Sequence, residues 1–351
     1  MSIAIKSKSQ TEPHAFDFRS MHLDVSRHFF PTDVIRQYID SLAKNHFNYF
    51  HWHLTDDQGW RLEIKAYPLL TQLGALRKEK DGTVYGGYYT QEQIKEVVEY
   101  ATLRGVEIIP EIDFPGHCSA AIAAYPWLSC NGALIEVPNK SGIYKTILCP
   151  TDTTTQFLKK VFDEVCELFP GKYIHIGGDE VPKQSWRSNV AVKQLKHQYN
   201  LGSLQAVQNH WMNEMSTYLQ QKGKSVIVWG EVTRSAFRKD LIIMSWRGKN
   251  AGVRAAKNGN KVIMASRFYC YLDYPKSRKE KKPAFFYPYL TNEKVAKYNL
   301  YSKRLNAEQN QNIIGGGGLL WTEFVADTAK LWHQFSPRAA TLGKVLFTKR
   351  R

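Results

Sequence analysis

The sequence predicts a single (β/α)8 barrel of the α/β class. Short apolar runs rich in β-branched residues alternate with amphipathic helical patterns, as in the βα units that build a parallel sheet. The 351 residues suit one barrel with large loops and leave too little chain for a second domain. Carboxylates and aromatic residues follow the apolar runs, at the strand ends where barrel enzymes build their sites.

Eight segments have the composition of buried strands. We predict strands over residues 18–25, 47–54, 106–112, 173–176, 225–229, 241–246, 261–265 and 313–321. Helices are predicted over residues 32–44, 91–104, 155–168, 204–222 and, less regularly, 248–258. In the first helix the apolar side chains recur at helical spacing, at Val34, Ile35, Tyr38, Ile39 and Leu42.

Three long segments without periodicity follow the second, third and seventh predicted strands. They cover residues 59–90, 114–150 and 266–311. Loops that follow barrel strands lie at the carboxyl-terminal face, so this face is expected to carry the function. We assign residues 1–15 to a polar N-terminal extension and residues 16–351 to the barrel.

The chain is basic, with 48 Lys and Arg residues against 32 Asp and Glu residues and a net charge of +16. Such a charge favours anionic partners. However, the basic residues are spread along the chain, with the densest cluster at residues 276–282, and no nucleic-acid-binding motif is present. We therefore predict no nucleic-acid partner, whereas an acidic or sulfated glycan is compatible with the charge.

No segment approaches the roughly 18 consecutive apolar residues of a membrane span, so no span is predicted. Residues 1–13 do not resemble a signal peptide. The chain as written is therefore expected to be cytoplasmic, or periplasmic or secreted if a leader has been removed. Its oligomeric state is not predicted.

The five cysteines follow no CxxC spacing. Cys130 and Cys149 flank a loop and could pair in an oxidising compartment. The odd total favours mostly free thiols.

The fourth predicted strand is followed by two adjacent carboxylates, Asp179 and Glu180. On a regular strand their side chains would point to opposite faces. Gly177 and Gly178 permit an irregular backbone here, and Pro182 prevents a simple continuation of the strand. A carboxylate pair at the end of a buried barrel strand suits acid–base chemistry, the alternative being a strand cap followed by a solvated Glu.

The other predicted strand ends carry polar or aromatic residues as well. These are Asp24, Arg27, His51, Trp52, His53, Asp56, Asp57, Glu111, Asp113, His117, Trp229, Glu231, Trp246, Tyr271, Asp273, Trp321 and Glu323. The apolar faces of sugar rings stack on indole rings, and sugar hydroxyl groups need polar or charged partners. Together the strand ends predict a carbohydrate-binding pocket.

Simpler interpretations exist for individual members of this set. Trp229, Trp246 and Trp321 could each fill the core, although all three fall at strand ends. Asp24 could pair with Arg27 in a structural role as readily as it could bind a ligand.

The two histidines of the second strand, His51 and His53, are expected to alternate on it, so that at most one faces the pocket and the other packs. Together with Asp113 and His117 they could form a metal site. However, no HExxH or comparable ligand spacing occurs. We predict no metal site.

Seven blocks of the sequence resemble the family 20 glycoside hydrolases, the β-N-acetylhexosaminidases. They are MHLDVSRHFFP, HWHLTDDQGWRLEI, PEIDFPGH, YIHIGGDEVP, IIMSWRG, YCYLDY and LLWTEF. The resemblance extends from about Phe18 to the C-terminus. It implies that the barrel is catalytic, that it acts on β-linked N-acetylhexosamine glycans, and that it uses neither a metal nor an organic cofactor.

The resemblance further implies an exo-acting enzyme that removes terminal, non-reducing β-linked GlcNAc or GalNAc. Glu180 would be the general acid and then the base, and Asp179 would accept a hydrogen bond from the 2-acetamido N–H. The substrate's acetamido oxygen would attack the anomeric carbon and form an oxazolinium-type intermediate, so configuration is retained without an enzyme nucleophile. The two carboxylates can then be neighbours, since they do not flank the bond from opposite sides.

The other predicted site residues would bind or enclose the sugar. Arg27, Asp273 and Glu323 would take ring hydroxyl groups, and Tyr271 would donate to the acetamido oxygen. Trp229, Trp246 and Trp321 would enclose the acetamido group and stack on the sugar. Asp57 and His117 would support the site near the acid.

Two other functions stay open: a carbohydrate-binding barrel without catalysis, and a conventional two-carboxylate glycosidase acting on sugars without an acetamido group.

The chain also departs from the family in a four-glycine run, Gly315 to Gly318, within the eighth predicted strand. A second departure lies in the C-terminal segment from Ala340 to Arg351. These departures put stability and barrel closure in doubt, while the natural substrate is not predicted.

Overall fold

Eight parallel strands form a closed barrel, which confirms the predicted fold class. The computed structural model describes residues 16–132, 134–283 and 287–348. The predicted extension of residues 1–15 and the basic end, Lys349 to Arg351, lie outside these residues. We number the barrel strands in chain order as β1 (Phe18–Asp24), β2 (Tyr49–Asp56), β3 (Glu107–Ile112), β4 (Tyr173–His175), β5 (Ser225–Trp229), β6 (Ile242–Ser245), β7 (Val262–Met264) and β8 (Ile313–Gly318).

Each barrel strand pairs in parallel with its neighbours in the chain, and β8 returns to pair with β1. Fourteen α-helices are present among the described residues, and the five predicted ones are among them. They are α1 (Thr32–Lys44), α2 (Leu69–Gln72), α3 (Gln91–Thr102), α4 (Ser119–Ala124), α5 (Asp152–Leu168), α6 (Gln184–Ser188), α7 (Val190–Gln198), α8 (Leu204–Gln221), α9 (Asn250–Asn258), α10 (Arg267–Cys270), α11 (Asn292–Ala296), α12 (Ala307–Gln311), α13 (Thr328–Phe335) and α14 (Arg338–Phe347).

Capping residues explain where α3 and α5 begin. Thr90 forms a capping box with Gln93, so α3 begins at Gln91 as predicted. Helix α5 begins three residues earlier than expected, because the Thr151 side chain accepts a hydrogen bond from the backbone N–H of Thr154. The apolar pattern locates the buried face of a helix, whereas its first residue is set by the cap.

The glycine run in β8 is what allows the barrel to close. A Cβ atom on Gly315 would lie 1.8 Å from the backbone oxygen of Phe18, and one on Gly317 would lie 2.4 Å from Ser20 Oγ. Strand β8 therefore packs against β1 more closely than any residue with a side chain permits. From the sequence, the four glycines put the closure of the barrel in doubt. In the structure they belong to a strand that is paired on both sides.

The barrel interior beneath the carboxyl-terminal face is polar. Glu111 of β3 is fully buried, and both His51 Nε2 and His53 Nδ1 lie within 2.8 Å of its Oε2 atom. The expectation that these histidines alternate is wrong, although at most one faces the pocket as expected, since neither lines the main cavity. Residues two apart on a strand share one face, so both point to the barrel axis.

The long loops at the carboxyl-terminal face are anchored by buried polar contacts. In the loop after β2, the guanidinium group of Arg61 is fully buried and donates to the backbone carbonyls of Val25, Ser26 and Ala75. This loop also carries a short hairpin formed by Leu76–Lys78 and Val84–Gly86. The loop is thereby tied to the end of β1, where the site begins.

The structure settles the pairing of the cysteines, which the sequence left open. Cys130 and Cys149 form a disulfide within the loop after β3. Cys118, Cys166 and Cys270 are free thiols. Among the described helices, none combines the length and the apolar character that crossing a bilayer requires.

We predict that Gly315→Ala destabilises the fold. The two nearest atoms that its Cβ would meet belong to the Phe18 backbone, which cannot move without breaking the pairing of β1 with β8. The expected loss is about 3 kcal/mol in the free energy of unfolding, measured as a lower Tm.

The matched control for Gly315→Ala is Gly202→Ala, since a Cβ atom at Gly202 has no heavy atom within 4 Å. Its stability should change by less than about 1 kcal/mol. Equal Tm values for the two variants would show that β8 tolerates side chains and that the close approach of β1 and β8 is unimportant.

Candidate active site

The turn after β4 brings Asp179 and Glu180 to one face. Gly177, Gly178 and Glu180 have positive φ angles of 66°, 99° and 44°. A Cβ atom on Gly177 would lie 1.6 Å from Asp113 Oδ1, and the same oxygen accepts a hydrogen bond from Gly178 N at 2.9 Å. The glycines thus break the alternation of the strand, so that both carboxylates reach the same cavity.

The cavity lies at the carboxyl-terminal face and has a volume of about 370 Å³. Nine of the eleven predicted site residues line it, and Asp57 and Trp229 lie behind it. The lining residues are Arg27, Asp56, Asp113, His117, Asp179, Glu180, Trp246, Arg267, Phe268, Tyr271, Asp273, Tyr274, Tyr287, Pro288, Trp321 and Glu323.

Arg27 is held rigidly at the β1 side of the cavity. Its guanidinium group contacts Asp24 Oδ2 at 3.2 Å and Asp56 Oδ2 at 2.7 Å, and it donates through Nε to Gln58 at 2.9 Å. Burial alone would lower the pKa of Arg27, but the carboxylates of Asp56 and Asp24 raise it. Asp24 also accepts from the backbone of Thr322, so its role in this structure is that of a buried structural partner.

His117 connects a buried pair of carboxylates to Asp179. Its Nδ1 atom lies 3.1 Å from Asp56 Oδ1 and 3.2 Å from Asp57 Oδ2, and its Nε2 atom lies 3.9 Å from Asp179 Oδ2. Burial lowers the pKa of His117, but Asp56 and hydrogen bonds to Asp56 and Asp57 raise it well above its ordinary value. Ser119 holds Asp57 through its backbone N–H and hydroxyl group. A protonated imidazole therefore faces Asp179.

Asp179 combines burial with an unused acceptor. The pKa of its carboxyl group is raised to about 7, mainly by burial. The nearby carboxylates of Glu231 and Glu180 also raise this pKa, whereas His117 lowers it. Its Oδ1 atom is buried and has no hydrogen-bond partner among the described residues. A buried oxygen without a partner is costly, and a ligand N–H group could satisfy it.

Four aromatic rings form a wall on the side of the cavity built by β5 to β8. Trp246 is stacked with Tyr271 at a ring distance of 6.0 Å, and Trp321 lies 6.5 Å from Tyr271 and 6.2 Å from Trp229. Trp229 is buried, and its Nε1–H donates to Glu111 at 2.8 Å. Trp229 thus supports the wall from behind, while the other three rings face the cavity.

Asp273 and Glu323 provide further acceptors in the cavity. Burial raises the pKa of Asp273, and the neighbouring charge of Glu323 raises it further. Asp273 Oδ1 is buried without a hydrogen-bond partner among the described residues. Burial also raises the pKa of Glu323, against the effect of the guanidinium group of Arg27. This end of the site suits the hydroxyl groups of a neutral ligand.

Glu180 is held by a residue that the sequence interpretation missed. Arg247 donates from its Nη2 atom to Glu180 Oε1 at 2.7 Å and from its Nε atom to Glu231 Oε1 at 2.8 Å. Glu231 also accepts from Trp246 Nε1 at 3.1 Å. Arg247 directly follows Trp246 in the IIMSWRG block, which is the only sequence signal that pointed to it.

Within the part of the chain that the structure describes, three groups of histidines and carboxylates have ligand atoms close enough to hold a metal ion. They are His22, His51 and Glu111; Asp56, Asp57 and His117; and Asp113, His117 and Asp179. In the first group His51 already contacts Glu111, and in the second group His117 already contacts both carboxylates. No step of the chemistry proposed below uses a metal.

Residues 16–350 match the sequence model of the glycosyl hydrolase family 20 catalytic domain. The chain belongs to this family. A β-hexosaminidase of Porphyromonas gingivalis is 37% identical over 336 residues, which are 95% of this chain and 43% of that protein. One of Vibrio furnissii is 35% identical over 349 residues, which are 95% of this chain and 57% of that protein.

A solved structure of a family 20 enzyme has the same barrel. The exo β-N-acetylglucosaminidase of Vibrio harveyi, in complex with N-acetylglucosamine, superposes with a TM-score of 0.87 at 32% identity, covering 96% of this chain and 55% of that one. The chain therefore spans about half the length of the relatives described here.

We predict that Asp179→Asn stabilises the protein at neutral pH. In the folded state burial raises the pKa of Asp179 from 3.8 to about 7, so the folded protein takes up a proton that the unfolded chain releases. The wild type should lose stability from this group as pH rises from about 4 to about 7, whereas the amide of the variant is neutral throughout. The variant's advantage in the free energy of unfolding, followed through Tm, should grow over this range to on the order of 2–4 kcal/mol above pH 7.

The control for the pH dependence is Glu167→Gln, which removes an exposed carboxylate from α5. Its Tm difference from the wild type should not show this rise. A constant difference for Asp179→Asn between pH 4 and pH 8 would contradict the raised pKa of Asp179.

Proposed function

We propose that this chain is a β-N-acetylhexosaminidase domain that removes terminal, non-reducing β-linked GlcNAc or GalNAc. The observation that carries the proposal is the turn from Gly177 to Glu180, which places two adjacent carboxylates in one cavity beside an aromatic wall. The relatives named above are β-hexosaminidases, and the Vibrio harveyi enzyme is described as exo-acting and holds N-acetylglucosamine. Both facts support the same substrate class.

In the first proposed step the acetamido oxygen of the substrate attacks the anomeric carbon of the same sugar. Glu180 gives a proton to the leaving oxygen as the bond between that oxygen and the anomeric carbon breaks. A lone pair of the acetamido oxygen forms the new bond to the anomeric carbon. The amide nitrogen gains positive charge, and Asp179, as the ionised form with its free Oδ1 atom, accepts a hydrogen bond from the amide N–H and stabilises that charge.

In the second proposed step water opens the cyclic intermediate. Glu180, now a carboxylate, takes a proton from a water molecule whose oxygen attacks the anomeric carbon on the face that the leaving group left. Two inversions at this carbon give net retention. No enzyme nucleophile is required, which is consistent with carboxylates that are neighbours in the chain.

The remaining residues would orient the sugar. Arg27, Asp273 and Glu323 would bind ring hydroxyl groups, since their charges interact at one side of the cavity. Trp246, Tyr271 and Trp321 would enclose the acetamido group and the ring face. The rigid hydrogen bonding of Arg27 means that little conformational entropy is lost when it binds substrate.

We predict hydrolysis of an aryl β-N-acetylglucosaminide and little hydrolysis of the matching aryl β-glucoside, because only the first carries the attacking oxygen. Glu180→Gln should lower kcat on the N-acetyl substrate by about 100- to 10,000-fold, since general acid catalysis contributes that much. Both are measured by the release of the aryl alcohol. Glu167→Gln serves as the control that removes a carboxylate far from the cavity.

Two results would favour the rival functions. Equal rates on both aryl glycosides would favour a conventional two-carboxylate glycosidase. Binding of N-acetylglucosamine without turnover of either substrate would favour a carbohydrate-binding barrel.

Substrate assistance has its own test. Replacing the N-acetyl group by N-trifluoroacetyl withdraws electrons from the carbonyl oxygen and weakens it as a nucleophile. We predict that kcat falls at least about tenfold, which is ~1.4 kcal/mol in the barrier, and that NMR detects the β-anomer as the first product. An unchanged kcat, or an α-anomer released first, would contradict the mechanism.

A further inference from the structure

A second recess lies beside the cavity and is lined by three arginines. Arg234, Arg247 and Arg254 surround a volume of about 190 Å³, which we call the arginine recess. Trp246 lines both the recess and the main cavity, so the two spaces adjoin. None of the three arginines was among the predicted site residues.

The recess carries an excess of positive charge. Its lining includes three guanidinium groups and a single carboxylate, Glu231. Burial lowers the pKa of nearby Lys183 to about 8, with a smaller contribution from the positive charge of Arg234. Because burial is the main cause of this shift, the excess of positive charge follows from the lining residues themselves.

The guanidinium groups of two of the arginines form no hydrogen bond with a carboxylate of the described residues. Arg254 donates to the neutral hydroxyl group of Thr233 at 3.2 and 2.9 Å. Arg234 lies 3.9 Å from Glu231, beyond hydrogen-bond distance, and its side chain is 53% exposed. Their donors are therefore accessible to an anion from solution.

The position of the recess relative to Glu180 identifies the part of the ligand that would reach it. Arg247 of the recess donates to Glu180 Oε1 at 2.7 Å. In the proposed mechanism Glu180 protonates the oxygen of the leaving group, so its carboxyl group faces the sugar that follows the cleaved residue. A substituent on that sugar would come close to the arginine recess.

We propose that the arginine recess binds an anionic group, a carboxylate or a sulfate, on the sugar at the leaving-group side. This inference rests on the proposed function and deepens it, since it assigns an acidic glycan as the preferred substrate class. The guanidinium groups of Arg234 and Arg254 bind the anion, and planar guanidinium groups match carboxylate and sulfate oxygens well.

The test compares disaccharides in which GlcNAc is β-linked through the same position to glucuronic acid, to glucose or to a sulfated glucose. For the wild type we expect kcat/KM to be at least about fivefold higher on the two anionic disaccharides than on the neutral one, as one or two exposed ion pairs supply that much. Arg234→Gln should reduce this preference several-fold, and Arg234→Lys should restore most of it. Raised ionic strength should weaken it as well.

The control variant is Lys257→Gln, which removes a positive charge from α9 outside the recess and should leave the preference unchanged. Hydrolysis of the neutral disaccharide without any preference for the anionic ones would overturn the recess proposal and leave the proposed function intact. A preference that survives Arg234→Gln would also overturn it. Failure to cleave all three disaccharides and the aryl β-N-acetylglucosaminide would overturn the proposed function itself.

Discussion

The buried carboxylate of Glu111 is the constraint on which the site depends. Burying a charge costs several kcal/mol unless hydrogen bonds and an opposite charge offset it. Glu111 contacts His51 and His53 of β2 and Trp229 of β5, and it lies on β3 between them in the barrel. Burial lowers the pKa of His51 to about 4, whereas Glu111 and Asp56 raise the pKa of His53 despite its burial. The protonated His53 is thus a counter-charge of Glu111, which His175 also contacts at 3.0 Å.

From His53 the same network reaches the cavity. His53 donates to Asp56, which binds Arg27 and His117, and His117 faces Asp179. Burial would raise the pKa of Asp56, but Arg27 and His117 hold it well below its ordinary value. The charges thus alternate in sign from the barrel axis to the proposed catalytic turn, and a change at any member leaves a buried charge without its partner. Such a chain fixes positions more firmly than packing alone.

The sequence predicted the barrel well, because strand composition and helical periodicity are local signals. Site residues such as Arg27 and Glu323 could be predicted because strand ends are recognisable in the sequence, and both line the cavity. Their roles stay predictions. What failed depends on contacts between distant segments. The ion pair between Arg247 and Glu180 joins the ends of β6 and β4, and nothing local signals it. The expectation that His51 and His53 alternate was an error of a different kind, because the two-residue period of a strand places both on the same face.

Charged side chains of opposite sign predominate in the two adjoining spaces. The main cavity is lined by six carboxyl groups and two guanidinium groups, whereas the arginine recess has three guanidinium groups and one carboxyl group. On the proposed assignment an anionic sugar is disfavoured in the cavity and attracted to the recess, whereas a neutral N-acetylhexosamine enters the cavity without charge repulsion. Discrimination of this kind comes as much from repulsion at the wrong position as from attraction at the right one. The charge pattern would thus set the direction in which a mixed glycan enters, with the neutral sugar in the cavity and the acidic sugar beyond Glu180.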